Sequence, residues 1–216
     1  MIAEWQAQPQ PPRSLVEVMV LAEAHATMGE AEPARALIEA LAAWQPIEAD
    51  ALRARLAFSL GEHGASWQAL SRALAAYAHE PWPNLALMRR TLPLALALAK
   101  AQPDLAPEIL AALEQPAAVS MLDYLRLELW LSLALERGDA ASCRRAVAAL
   151  EPHFPWQEPL LRQRIACFEL GQDGRLPHAR AELAAYLADS GVDFGAGLRP
   201  AEPAPMIQLE PAAPRE

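Results

Sequence analysis

The sequence has only two cysteines, a single lysine and few aromatic residues. Two cysteines are too few for the disulfide framework that stabilises many small secreted domains. Cys143 and Cys167 both fall at apolar positions of expected helices, so we predict that they act as small buried side chains and not as a redox pair. Lys100 accompanies 17 arginines, a usage typical of a GC-rich bacterial genome.

The sequence also lacks a long apolar segment. The most apolar run, from Leu92 to Ala99, has 8 residues, whereas a membrane-spanning helix needs about 20. We therefore expect a buried helix here and no transmembrane segment. The N-terminus shows no basic stretch followed by an apolar run and a small-residue cleavage site. The expectation is a protein without a secretory signal, located in the cytoplasm.

Motifs that carry chemistry are missing as well. The sequence contains no nucleophile elbow, phosphate-binding glycine loop, HExxH or paired CxxC. Its five histidines show no metal-ligand spacing along one helix. These absences predict that the chain is not an enzyme and holds neither a metal nor a cofactor. A net charge of −9 disfavours binding to nucleic acid.

An internal repeat organises what is present. The segment from Ala34 to Leu41, ARALIEAL, recurs in related form from Leu70, Ala106, Cys143 and Ala179, at steps of 36, 36, 37 and 36 residues. Such a steady period is the signature of a stacked repeat array. With 48 alanines and 34 leucines, the strongest helix formers dominate the composition. The sequence therefore predicts an all-α protein.

Five helix pairs account for the repeat, because glycine marks most turns within a pair and proline marks every junction between pairs. Large apolar residues at spacings of three and four form one stripe on each helix. The first helices are predicted at 14–28, 48–61, 84–101, 119–137 and 156–171, and the second helices at 32–45, 66–79, 104–115, 139–151 and 176–189.

This pattern resembles the tetratricopeptide repeat over about residues 14–189. The residues that carry the resemblance in the first pair are Val18, Leu21, Ala22, His25, Ala34, Ile38, Leu41 and Pro46. The resemblance implies a right-handed α-solenoid of about five helix-turn-helix repeats, with first helices lining a concave groove. The period of 36–37 residues exceeds the 34 of that family, and Pro93 falls inside a first helix. Another helical-pair solenoid is therefore the alternative.

The two ends of the chain differ from the repeats in composition. We expect a flexible arm at 1–13, the helical repeat domain at 14–189, and a short capping segment with a disordered Pro/Ala-rich tail at 190–216. Arrays need a polar cap, and Val192, Phe194 and Leu198 are predicted to fold back over the last second helix to provide it.

A set of arginines recurs in register on the first helices. If the repeats stack with a small rotation, these side chains line up along the array and form a cationic strip suited to carboxylate or phosphate groups. The alternative is that they pair with neighbouring residues such as Glu128 and Glu158. The repeating residues are Arg53, Arg89, Arg126 and Arg162, and Arg55, Arg90 and Arg164 lie beside them.

The leading functional hypothesis is a non-catalytic adaptor or assembly factor that binds a protein or peptide segment, with acidic groups as one option, in the concave groove. The competing hypothesis is a regulatory accessory subunit or detached repeat domain of an enzyme complex. The partner and the oligomeric state are not specified by the sequence. The tryptophans at the edges of the repeats are expected to be half-buried packing residues and not base-stacking residues. They are Trp44, Trp67, Trp82 and Trp156.

Overall fold

The computed structural model describes residue 12, residues 14–151 and residues 153–190, and within these ranges the chain is helical and contains no strand. This confirms the all-α class. The helices are α1 (Leu15–Met28), α2 (Ala31–Ala42), α3 (Pro46–Ser59), α4 (His63–Tyr77), α5 (Leu85–Thr91), α6 (Leu94–Ala101), α7 (Ala106–Glu114), α8 (Ser120–Glu136), α9 (Ala140–Leu150), α10 (Glu158–Leu170) and α11 (Leu176–Ser190).

Polar side chains cap several helix starts. Ser14 accepts a hydrogen bond from the amide of Glu17, whose carboxylate accepts from the Ser14 amide in return, so α1 begins with a capping box. Asn84 caps α5 and Asp139 caps α9. Aspartate favours the N-cap position, yet of the three aspartates near predicted helix starts only Asp139 caps a helix. Asp50 lies inside α3 and Asp104 lies in a 3₁₀ turn without a capping bond.

Three glycines directly after helices, or in the turns that follow them, have a left-handed backbone conformation. Gly29, Gly61 and Gly138 have φ angles of 72°, 76° and 66°, a region that L side chains avoid and glycine enters freely. After α10 the left-handed residue is Gln172, with φ at 50°, and not the preceding Gly171. The turn after α10 therefore places a non-glycine residue in the left-handed region although Gly171 directly precedes it.

Pro93 divides the predicted helix 84–101 into two. α5 ends at Thr91 and α6 begins at Leu94. Proline has no amide hydrogen to donate to the turn before it, and its ring clashes with the carbonyl four residues earlier. It suits the start of a new helix instead, where the amide would have no helical partner.

With the exception of α4 and α5, helices that follow one another in the chain pack together, and further contacts recur between helices of different pairs. Each first helix contacts the next first helix: α1 contacts α3, α3 contacts α5, α5 and α6 contact α8, and α8 contacts α10. Each second helix contacts the first helix of the following pair: α2 contacts α3, α4 contacts α6, α7 contacts α8, and α9 contacts α10. The same neighbours therefore recur from pair to pair.

The apolar stripes predicted from the repeat form most of the core. Among the second helices, Ile38, Leu74 and Val147 are buried. Their counterparts Leu110 and Leu183 are half-buried. The corresponding positions of the first helices are buried at Leu52, Met88 and Leu161 and half-buried at Leu125. Small alanines between the large residues are often fully buried, which lets neighbouring helices approach closely.

The two cysteines meet, contrary to the prediction that they are separate buried residues. Both are fully buried, which agrees with the predicted environment, but a disulfide joins Cys143 of α9 to Cys167 of α10. Their Cα atoms are 5.8 Å apart although the residues are 24 positions apart in the chain. Only the packing of α9 against α10 creates this proximity, so sequence spacing alone carried no sign of it.

No helix in the described part of the chain is long and apolar enough to cross a bilayer. The run from Leu92 to Ala99 instead spans the break between α5 and α6, and most of its residues are buried. The predictions for the arm before α1, and for the cap at Val192, Phe194 and Leu198, concern residues outside the described ranges.

Candidate partner-binding surfaces

A cleft of about 330 Å³ opens between α2, α3 and α4, and we call it the arginine cleft. Apolar side chains form part of its lining, and charged side chains surround them. The apolar residues are Ile38, Leu56, Ala57, Leu60, Ala65 and Ala69, and the polar ones are Arg35, Glu39, Arg53, Glu62, Gln68 and Arg72. Of the seven predicted site arginines, Arg53 lies here. Such a cleft can hold an apolar side chain and offer cations to a neighbouring carboxylate.

Ion pairs hold two arginines of this cleft in place. Arg53 bonds Glu39 at 2.8 Å and Asp50 at 3.0 Å, and Arg72 bonds both carboxylate oxygens of Asp50 at 2.8 and 3.0 Å. Partial burial alone would raise the pKa of Asp50, but the hydrogen bonds from Arg72 and Arg53 outweigh it and lower the pKa. Asp50 therefore stays charged and fixes both guanidinium groups.

Arg35 is the least constrained cation of the arginine cleft. Its side chain is exposed and its pairing with Glu32 is long, at 3.5 Å between Nη1 and Oε1. Exposed pairs of this kind contribute little to stability. Arg35 can therefore turn toward a ligand at small cost, whereas Arg53 would first have to share its bonds with Glu39 and Asp50.

Arg126 is buried and holds two helices together. Its side chain is buried, its Nε donates to Asp123 at 2.6 Å, and its Nη1 donates to the backbone carbonyl of Leu113. The carbonyl lies near the end of α7, so the arginine joins α8 to the preceding second helix. Burial would raise the pKa of Asp123, but the bonds from Arg126 and from the Ala117 amide outweigh it and lower the pKa.

Arg162 and Arg164 lie on the same helix in different environments. Arg162 is exposed and pairs with Glu158 one turn earlier, with an Nη2–Oε1 distance of 2.7 Å, as the structural alternative predicts. Arg164 is buried, bonds Glu182 of α11 and stacks on the Phe154 ring, with its guanidinium carbon 4.4 Å from the ring centroid. A second cleft of about 330 Å³ lies beside Arg164 and is lined in part by Trp156.

Arg55 and Arg90 are brought together on the first helices. The Nη2 of Arg55 donates to the backbone carbonyl of Arg90 at 2.6 Å. Arg90 in turn binds both carboxylate oxygens of Glu23 at 2.6 and 2.7 Å. These bonds connect α1, α3 and α5. They also place the carboxylate of Glu23 beside Arg55 and Arg90, which the sequence predicts to be part of a cationic strip.

Arg89 is the exception among the four repeating arginines. It is exposed and has no ion-pair or hydrogen-bond partner in the described part of the chain. The reason lies one turn earlier. Arg53, Arg126 and Arg162 each follow an acidic residue by three or four positions, whereas Leu85 and Ala86 occupy the corresponding positions before Arg89. That difference is visible in the sequence and could have singled out Arg89.

The described residues contain no group of three or more histidine, cysteine or carboxylate side chains arranged to hold a metal. Comparison with protein-family models gives no match, and comparisons with curated proteins and with solved structures give none either.

Proposed function

We propose that the chain is a non-catalytic adaptor or assembly factor that binds a segment of a partner protein carrying acidic groups. The observation that supports this most is the contrast at Arg89, an exposed arginine without an internal partner, among arginines that are held by internal bonds. A desolvated carboxylate at Arg89 would gain a charge-assisted bond without breaking an existing one.

The proposal includes the architecture. We propose that the helix pairs stack as a right-handed, tetratricopeptide-like solenoid of about five repeats. Recurring contacts between successive first helices, such as α1 with α3 and α8 with α10, support it, since stacked pairs touch in this way. In such a stack Arg89, Arg90 and Arg55 belong to the first-helix side, where the partner would lie.

The arginine cleft offers a second point of contact for the same partner class. Its apolar lining accepts a large apolar side chain, and Arg35 at its rim is available for a nearby acid. Because Arg53 and Arg72 are already bound to Asp50, the cleft should recognise the apolar side chain first and the acid second. The competing proposal, a regulatory accessory subunit of an enzyme complex, uses the same surfaces with an enzyme as partner.

Affinity capture with tagged full-length protein tests the proposal, using Arg89→Glu as the variant. Arg144→Glu is the matched control, because Arg144 is also exposed and lies on a second helix. We expect a partner retained by the native chain and by Arg144→Glu to be lost by Arg89→Glu. Equal retention by all three proteins would refute the role of Arg89. An enzyme among the specific partners, with altered activity on binding, would favour the accessory-subunit proposal.

We also propose the cytoplasm as the compartment. The Cys143–Cys167 disulfide counts against it, because reducing compartments keep such cysteines as thiols. Alkylation of the protein in intact cells, followed by mass spectrometry, decides the matter. Two alkylated thiols support the cytoplasm, and a blocked pair supports an oxidising compartment.

A further inference from the structure

Tryptophans are exposed in three of the four connections between helix pairs, and Met121 is exposed in the first turn of α8, directly after the remaining connection. Trp44 is 74% exposed, Trp82 87%, Met121 75% and Trp156 50%. This contradicts the prediction that Trp44 and Trp82 are half-buried packing residues. Trp67 and Trp130, which are not at these connections, are buried and bonded to Glu108 and Ser142.

Hydrogen bonds connect each of these junctions to the next. The Glu48 carboxylate near the first junction accepts from the Asn84 amide at the second, at 2.8 Å. The Ala118 amide at the third donates to the Tyr77 carbonyl before the second, at 2.9 Å. The fourth is joined to the N-terminal part of α8, which follows the third junction, by the Tyr124 hydroxyl, which donates to Gln157 Oε1 at 3.4 Å.

The four junctions therefore form one continuous side of the molecule, which we call the junction edge. It carries Trp44, Trp82, Met121 and Trp156 in that order. Contiguous exposed apolar surface marks contact sites, whereas singly scattered apolar residues do not, and the bonds between the junctions place these four side chains in one series. Three of the four are indoles, which favour ligands with rigid apolar rings or with bases.

Charge separates those two ligand classes. Residues beside the exposed tryptophans include Glu80 and Glu151, and the chain as a whole carries a net charge of −9. Nucleic acid binding depends on neutralising phosphates with cations, and single strands stack on aromatics within basic grooves.

Arg164 and Arg175 line the cleft beside Trp156. Both are paired with carboxylates, Arg164 with Glu182 and Arg175 with Asp173. A proline-rich segment, which docks on aromatic surfaces with little ordering entropy, therefore fits the junction edge better.

We propose that the proline-rich segment 200–216 of this same chain docks on the junction edge. The segment contains the PxxP pattern twice, at Pro200 to Pro203 and at Pro211 to Pro214. In a polyproline II helix, with three residues per turn, prolines at i and i+3 share one face. Each copy therefore presents a pair of rings to an indole.

The position of the last helix supports docking within the chain. Tyr186 of α11 packs edge-on against Trp156, with ring centroids 5.9 Å apart, so the chain leaves the described structure next to the last exposed tryptophan. From Ser190, a stretch of 26 residues can reach about 80 Å at 3.1 Å per residue. Three pairs of helices at 8–10 Å per helix span about 60 Å, so the segment can reach Trp44.

The first test uses indole ¹⁵N–¹H spectra of the full-length chain, assigned by single Trp→Phe variants. The probe variant replaces the five prolines of the segment by alanine: Pro200, Pro203, Pro205, Pro211 and Pro214. We expect the indole signals of Trp82 and Trp156 to shift between the native chain and this variant, while those of buried Trp67 and Trp130 stay in place. Unchanged signals at Trp82 and Trp156, or equal shifts at all indoles, would overturn the proposal.

The second test places a nitroxide on the segment through Ala204→Cys in the Cys143→Ala/Cys167→Ala background, with circular dichroism confirming the fold. We expect loss of the Trp82 or Trp156 indole signal when label and isotope are on one chain. A mixture of labelled and isotope-enriched chains should show no loss. Loss only in the mixture would assign the edge to a second copy and overturn docking within the chain, as would no loss in either sample.

Discussion

Arg90 on α5 binds both carboxylate oxygens of Glu23 on α1, although 67 residues separate them in the chain. The pair therefore bridges the first and third helix pairs directly. Its geometry is bidentate, which is the strongest arrangement of an arginine and a carboxylate. Glu23 is mostly shielded from solvent and Arg90 is about half exposed, so the pair is screened only in part.

Arg90→Ala should destabilise the fold modestly, by about 1 kcal/mol, because pairs that remain partly exposed contribute little. A double-mutant cycle with Glu23→Gln, measured by urea unfolding, isolates the pairwise contribution. Lys100→Ala is the matched control, since Lys100 forms a single, largely exposed bond with Glu136. A coupling energy of zero would show that the contact forms without holding α1 to α5.

Arg126→Ala should destabilise the chain by about 3 kcal/mol or more, because it leaves Asp123 and the Leu113 carbonyl without their buried partner. Arg89→Ala, on the equivalent repeat position, should change stability by less than about 0.5 kcal/mol. Urea midpoints of the two variants give the comparison. Similar losses for both would contradict the distinction between a structural and an available arginine.

Asp50 makes stability depend on pH. Its pKa is lower in the folded chain than the ordinary value, so its contribution is fully present above the unfolded pKa of about 4 and is lost as pH falls through the folded pKa. We therefore expect Asp50→Asn to lose stability at pH 7 and to show a flatter decline below about pH 4. Asp104→Asn, at an exposed aspartate, should follow the native curve. Parallel acid-unfolding curves for the native chain and Asp50→Asn would contradict this.

Reductant should lower the melting temperature of the oxidised chain. The disulfide joins cysteines 24 positions apart in the chain, and the loop-entropy relation gives about 3–4 kcal/mol for a loop of that length. Cys143→Ala/Cys167→Ala should melt near the reduced native chain and show no response to reductant. If reductant leaves the melting temperature of the native chain unchanged, and two thiols are titrated in denaturant, the cysteines are packed as thiols and not as a disulfide.

The sequence also predicts a C-terminal cap, formed by Val192, Phe194 and Leu198. Leu183 and Tyr186 of α11 are half-buried within the described ranges, and burial of one Phe contributes about 1.5–3 kcal/mol. Truncation before Gly191 should therefore lower thermal stability or cause self-association to a greater degree than truncation before Pro200, which leaves Val192, Phe194 and Leu198 in place. Identical melting and sedimentation of the two truncated chains would exclude the cap.

The helices were predictable because their signals are local. Glycine, proline and apolar spacing placed most ends within three residues, and even the break at Pro93 was visible as a departure from the family pattern. Asp50 shows the limit of such signals. An aspartate near a helix start favours a cap, but here packing brings Arg53 and Arg72 within bonding distance.

The site was less predictable because it depends on what each arginine meets in space. The repeat predicts one common environment for Arg53, Arg89, Arg126 and Arg162, but in the structure each of the four has a different environment. Arg126 is buried because of its neighbours on α7 and α8, and the repeat period carries no information about such neighbours. The cysteine pair is a similar case, since the contact forms between two helices whose relative rotation the sequence did not determine.

The break before Pro93 has a consequence for how the array opens. α5 has only seven residues, and helices this short do not persist without tertiary contacts. Local unfolding should therefore begin at α5 and break the Arg90–Glu23 bridge with it. The two helix pairs before the break and the two after it would then exchange amide hydrogens as separate cooperative units, and the third pair would act as the joint between them.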